Sequence, residues 1–166
     1  MAMVLGIDPG SRYFGFGLVQ AEDSTNISYI DSGVIALSDK LSFPEKLATL
    51  SEKLQGVFDQ HSVSKVAVEN IFLGKNVQSA FKLGHVRGIT LLLAQRNGCL
   101  VSEYAPKFVK KVLTGSGSSG KEAVQMMVNQ LLKVNVTQVD ESDALSLALC
   151  QILSAPVRPE LAHFRI

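Results

Sequence analysis

Four acids sit in settings unlike those of the chain's other carboxylates. Asp8 closes the apolar run Val4-Leu5-Gly6-Ile7 and is followed at once by Pro9-Gly10, which puts it at a strand end beside a turn. Glu69 closes Val66-Ala67-Val68 in the same manner. Asp140 and Asp143 are three apart where an apolar helical pattern opens, a spacing that places both on one face. An acid at the end of an apolar strand is costly to bury without compensation, and crowded carboxylates raise one another's pKa. A divalent cation relieves both problems. All-oxygen donors select Mg²⁺ or Mn²⁺ over zinc. Two such ions roughly 4 Å apart activate water and stabilise the leaving oxygen of a phosphodiester. Asp8 is the acid expected to bridge both ions. Taken singly, each acid has a plainer reading: Asp8 as a turn residue, Glu69 as a satisfied strand-end acid, Asp140 as a helix N-cap with Asp143 as first-turn charge. The functional reading rests on the four together.

No other constellation competes. His61, His85 and His163 have no metal-ligand spacing. The Gly/Ser-rich stretch 114–120 before Lys121 matches neither a nucleophile elbow nor a phosphate-binding loop, and reads as a flexible loop. Cys99 and Cys150 lack neighbouring histidines and read as reduced, buried thiols of a cytosolic protein. No apolar run approaches the roughly 20 residues needed to span a bilayer, and the N-terminal residues read as a first strand, not a leader.

The net charge of +1 conceals a segregation. Residues 70–121 hold eight basic residues (Lys75, Lys82, Arg87, Arg96, Lys107, Lys110, Lys111 and Lys121) against one acid, Glu103, a net +7 that leaves −6 for the remainder. Charge divided this way attracts a polyanion along one surface while acids gather elsewhere. The same lysines also read as ordinary solvated helix faces.

The elements that must position these residues follow from periodicity. Strands are expected at 3–8 and 14–20 as a hairpin and at 28–36, then a helix at 44–60 with Pro44 in its first turn, then a strand at 65–69. A helix at 77–97 ended by Gly98, a strand at 100–103, and helices at 106–113, 121–133 and 141–154 complete the pattern. Three consecutive strands, then strands alternating with helices, predict an α/β domain with a mixed five-stranded sheet: three antiparallel strands first, parallel strands after, helices on both faces. One domain is expected over 1–155, with 156–166 as a short C-terminal tail.

Gly6-Ile7-Asp8-Pro9-Gly10-Ser11-Arg12, with Gly15 and Gly17, resembles the opening of RuvC-type Holliday-junction resolvases. So do Val68-Glu69-Asn70-Ile71-Phe72 with Lys75-Asn76, Ser79-Ala80-Phe81-Lys82-Leu83-Gly84, Tyr104-Ala105-Pro106, Val109-Lys110, Thr114-Gly115-Ser116-Gly117 leading to Lys121, and the Asp140/Asp143 pair. The resemblance implies an RNase H-like fold and a homodimer that cuts four-way DNA junctions by paired symmetric nicks, acting in recombination and repair. It implies that Asp8, Glu69, Asp140 and Asp143 hold two Mg²⁺ ions, for which Mn²⁺ can substitute. Lys121 joins the acids as a catalytic residue. Phe72 is expected to stack on a base near the junction centre, where otherwise an aromatic after an apolar strand reads as core. Lys110 and Lys121 are expected near the DNA, and Lys75, Lys82 and Lys107 are further candidates from the basic stretch. A junction branch-migration motor as partner, and a bacterial, nucleoid-associated cytoplasmic location, are implied in the same way. The sequence departs from the family pattern at Gly120, where a bulkier residue is expected, and at Lys107, where arginine is common. The apolar helix around Phe81 and residues 91–93 reads both as core and as a dimer interface. Rival activities are cleavage of RNA–DNA hybrids, catalytically silent DNA binding through the basic surface, and, less well matched by the chain length, an actin-like ATPase.

Overall fold

The computed structural model describes residues 1–70 and 77–154. β1 (Ala2–Asp8) and β2 (Tyr13–Ala21) form the expected antiparallel hairpin, with Asp8 opposite Gly15 and Gly6 opposite Gly17. β3 (Ile27–Ala36) adds antiparallel to β2. α1 (Phe43–Gln60) leads to β4 (Lys65–Glu69), parallel to β1, and α2 (Val77–Arg96) leads to β5 (Leu100–Tyr104), parallel to β4. Helices α3 (Pro106–Thr114), α4 (Lys121–Leu132) and α5 (Val139–Leu153) follow. The sheet has five strands in the order β3-β2-β1-β4-β5, antiparallel on the β3 side of β1 and parallel on the β5 side.

Successive strand residues point to opposite faces, and the two faces are built differently. Leu5, Ile7, Phe14, Leu18, Val66 and Val68 fill one, where Leu50 and Leu54 of α1 and Val86 and Leu93 of α2 meet them. The other face carries α5, with α3 and α4 completing the layer through Val109, Leu113, Val124 and Val128. Under α5 the sheet is nearly bare. A Cβ on Gly6 would stand 1.9 Å from the Ala144 carbonyl oxygen, and one on Gly15 would stand 2.1 Å from that of Asp140. Only glycine lets helix backbone rest this closely on strand backbone. Ala67 on β4 and Ala144 and Ala148 on α5, all fully buried, continue the small-residue contact.

Two expectations change. The last helix starts at Val139, and its N-cap is Gln138, which makes no side-chain capping bond. Asp140 is therefore inside the first turn, and the N-cap reading is withdrawn: a residue with helical backbone does not cap its own helix. The stretch 115–120 is irregular as expected, yet it is a tied turn, not a loose loop. Thr114 Oγ1 donates to the Lys110 carbonyl at 2.7 Å and lies 2.7 Å from Ser119 Oγ, while the Ser119 N–H reaches the Ser116 carbonyl at 3.3 Å. Cys99 and Cys150 are buried and unpaired. No described helix is long and apolar enough to cross a membrane. The anticipated tail at 156–166 lies outside the described residues.

Candidate active site at the edge of the sheet

Alternation along β1 places Val4, Gly6 and Asp8 toward α5 and Leu5 and Ile7 away from it. On β4 the same alternation turns Ala67 and Glu69 toward α5. The parallel register pairs Ile7 with Val68, so the next residues, Asp8 and Glu69, end neighbouring strands side by side. α5 supplies the other two acids. Gly15, the residue across the hairpin from Asp8, has the backbone of Asp140 lying directly over it. Without that glycine the first turn of α5 would stand away from the strand ends, and Asp140 and Asp143 with it.

The carboxylates act on one another. Asp8 is pushed from an ordinary 3.8 to about 7, first by burial and then by the charges of Asp143, Glu69 and Asp140, against the opposing pull of Lys121. Glu69 is also raised, by burial and then by Asp143, with Lys121 and Lys110 opposing. Lys121, at the start of α4, sets its Nζ 2.8 Å from Asp143 Oδ2. That bond raises the lysine's pKa above its ordinary value despite partial burial, and the charges of Asp143, Asp8 and Asp140 add to it. Among the described residues no three His, Cys, Asp or Glu side chains are already closed around a common point. The acids thus repel one another within electrostatic range without being drawn together. Hard oxygen donors short of countercharge fit a divalent cation.

Of the residues singled out in the sequence, the structure gathers Asp8, Glu69, Asp140, Asp143, Lys110 and Lys121 at this edge. Lys107 is exposed on α3, one turn before Lys110. Lys82 is exposed on α2, in the layer on the opposite face of the sheet. Phe72 and Lys75 lie outside the described residues. Arg87, counted in the basic stretch, is spoken for: it forms an ion pair with Glu103, and both side chains are largely buried.

Residues the sequence did not point to also bear on the site. The three glycines of β1 and β2 carried the resemblance, but their role as a seat for α5 depends on packing that no local pattern reveals. Ser32 on β3 stands opposite Gly17 and donates its hydroxyl to Glu141 Oε1 on α5 at 2.5 Å. The Tyr29 hydroxyl lies 2.9 Å from Ser32 Oγ. Polar residues on a half-buried strand were the only available signal.

Strands ordered β3-β2-β1-β4-β5, with acids collected where α5 crosses the ends of β1 and β4, define the RNase H-like class of α/β folds. The yeast mitochondrial Holliday junction resolvase has this fold at a TM-score of 0.68 and 14% identity, over 92% of this chain and 79% of that one. The family described as "Crossover junction endodeoxyribonuclease RuvC" matches residues 4–151. A relative so described from Saccharophagus degradans is 44% identical over 153 residues, covering 92% of this chain and 88% of its own. Another, from Chlorobium phaeobacteroides, is 42% identical over 153 residues, covering 91% and 81%. The structure of Thermus thermophilus RuvC in complex with Holliday junction substrate superposes at a TM-score of 0.85 with 29% identity, over 90% of this chain and 92% of that one. The chain belongs to the RuvC family of crossover junction endodeoxyribonucleases.

Proposed function

We propose that the chain resolves four-way DNA junctions by paired symmetric nicks in homologous recombination and DNA repair. Each subunit of a homodimer hydrolyses one phosphodiester and leaves 5′-phosphate and 3′-hydroxyl ends. The observation that carries this reading is the meeting of Asp8, Glu69, Asp140 and Asp143 at one sheet edge in a member of this family.

Asp8, Glu69, Asp140 and Asp143 would hold two Mg²⁺ ions, or Mn²⁺ in their place. Such ions, when bound, supply the Lewis acidity that activates water and offsets charge on the leaving oxygen. The chain's own contribution is to preorganise the donors. Asp8 and Glu69 are fixed by β-ladder register, and Asp140 and Asp143 by a helix seated on glycine. Lys121, its side chain 66% exposed, can leave Asp143 for a phosphate oxygen and stabilise the negative charge that develops there. Lys110 and Lys107 on α3 extend the cationic surface from the site along the DNA backbone, and Lys82 and Lys75 are further candidates for contact with it. Phe72 stacks on a base near the junction centre.

The dimer is supported by α2. Phe81 is 67% exposed and Leu92 51%, and with Val77, Gly84 and Gly88 they line an apolar groove of about 780 Å³. A second copy related by a two-fold axis would cover this face and point two sites at one junction. A branch-migration motor as partner and a location at the bacterial nucleoid accord with family membership.

The test is to incubate the chain with a four-way junction, an RNA–DNA hybrid and linear duplex, with Mg²⁺ and with chelator. Symmetric paired nicks in the junction alone are expected. Asp8→Asn should slow nicking by at least about 100-fold, since even residues that merely orient metal ligands are worth 10–100-fold. It should leave salt-sensitive junction binding intact. Preference for the hybrid, or nicking undiminished in Asp8→Asn, would sink the proposal.

A further inference from the structure

The glycine seat sets how deeply α5 lies on the sheet, and at Gly6 and Gly15, under its first turns, backbone meets backbone with no strand side chain to fix the rotation of that end. Capping does not fix it, because Gln138 makes no side-chain bond at the helix N-terminus. Glu141 does. Its Oε1 accepts from Ser32 Oγ at 2.5 Å on the edge strand β3, with the Tyr29 hydroxyl 2.9 Å from the same Ser32 oxygen. All three residues are half-buried, so this charged acceptor bond is partly shielded from water, where such bonds are strongest. Glu141 also points elsewhere from its neighbours. Its carboxylate is held against β3 by the Ser32 bond, while the helix brings the Asp140 backbone over Gly15 beside Asp8. At about 100° per residue, position 141 falls off the face that 140 and 143 share. One short segment therefore presents two acids to the site and turns the third into a strut.

We propose that Glu141 is a positioning residue: through Ser32 and Tyr29 it fixes the rotation of the first turn of α5, and so the placement of Asp140 and Asp143 against Asp8. The inference rests on the four-acid reading above.

The test uses the full chain as wild type, Glu141→Ala, Glu141→Gln, Ser32→Ala and the Glu141→Ala/Ser32→Ala double variant. Mn²⁺ binding is measured by calorimetry, junction affinity in chelator, the single-turnover nicking rate at saturating junction, and Tm. Glu141→Ala and Ser32→Ala should each weaken Mn²⁺ binding and slow nicking by about 10-fold, the scale expected when a residue that orients metal ligands is removed. Junction affinity in chelator should not change. Glu141→Gln keeps an acceptor oxygen for Ser32 and should behave almost as wild type. The double variant should be no worse than Glu141→Ala, because both changes break one linkage. Unchanged Mn²⁺ binding in both single variants, failure of glutamine to rescue, additive losses, or defects that vanish well below Tm would each overturn the inference. A wild-type chain that neither binds Mn²⁺ nor nicks would instead remove the nuclease reading on which it stands.

Discussion

The two faces of the sheet solve opposite problems with the same strands. Toward α1 and α2, Leu5, Ile7, Phe14, Leu18, Val66 and Val68 carry bulky side chains, and the helices rest on a layer of Leu, Ile, Val and Phe. Toward α5, Val4 and Val19 supply side chains at one end, but Gly6, Gly15, Gly17 and Ala67 lie under the helix, and at Gly6 and Gly15 helix backbone meets strand backbone. A layer of side chains can repack around a disturbance, because cores tolerate changes that conserve volume. A backbone contact has no rotamers with which to adjust. Both faces bury apolar area, and the α5 face adds position at its glycines. β1 shows both within seven residues: Leu5 and Ile7 anchor it, while Gly6 admits the helix and Asp8 meets the acids the helix brings.

The contrast can be broken at its sharpest point. Gly6→Ala puts a methyl group 1.9 Å from the Ala144 carbonyl oxygen. Nicking should be lost, and Tm should fall by about 10 °C or more, since overpacking against backbone exceeds the usual cost of a crowded core. Leu5→Ala, one residue earlier on the face toward α1 and α2, should lower stability by about 2–5 kcal/mol through its cavity. Assayed well below its Tm, it should keep near-normal nicking per folded molecule. Equal losses of specific activity in the two variants would erase the distinction.

A third expectation concerns charge on the α5 face. Asp8 stands near 7 in the folded chain against an ordinary 3.8. At pH values below about 4 both states hold the proton and nothing is lost. As pH rises toward 7, the unfolded chain has released the proton while the folded one retains it, so stability falls and the loss is complete above about 7. In chelator, thermal melts should therefore drop across this window. Asp8→Asn should melt a few degrees above wild type at pH 8 and converge with it near pH 4. Divalent ions should reverse the order at pH 8, because only the wild type keeps its full donor set. A flat pH profile for the wild type in chelator would mean that the acids do not burden one another.

The smallest effect is a difference in thiol reactivity. Burial pushes Cys150 on α5 up to about 12, and raises Cys99 beside α2 as well. Both should resist alkylation in the native state. Cys99, at 6% exposure against 0% for Cys150, should react first when modification is followed by mass spectrometry. The reverse order would make the α5 layer the looser one.

What the sequence made legible was whatever it encodes locally. The strand Lys65–Glu69 was bounded correctly because an apolar run meets an acid on one side and polar residues on the other. The mixed sheet followed from three strands in succession before the first long helix. Asp140 is instructive in the other direction: capping rules suggest an N-cap, but the helix begins before it, at Val139, with the Asp140 backbone seated over Gly15 of β2. Glu141 and Ser32 were invisible as partners, since 109 residues separate them. Arg87 counts toward the basic stretch in sequence, but its pairing with Glu103 depends on the contact between α2 and β5. The glycines stand in the sequence as letters of a motif, although their reason lies in a helix at the far end of the described chain.

Because Asp140 and Asp143 ride on α5, which follows every other described element, the order of synthesis matters. Domains fold as the chain emerges from the ribosome, N-terminal parts first. The sheet of a nascent chain can therefore carry Asp8 and Glu69 while its glycine-lined hollow still waits for its helix. Until α5 arrives, half the acid set is missing, so on the reading proposed above a fragment short of that helix should not cut DNA. On that reading, a broken message or a stalled ribosome would release an inert piece.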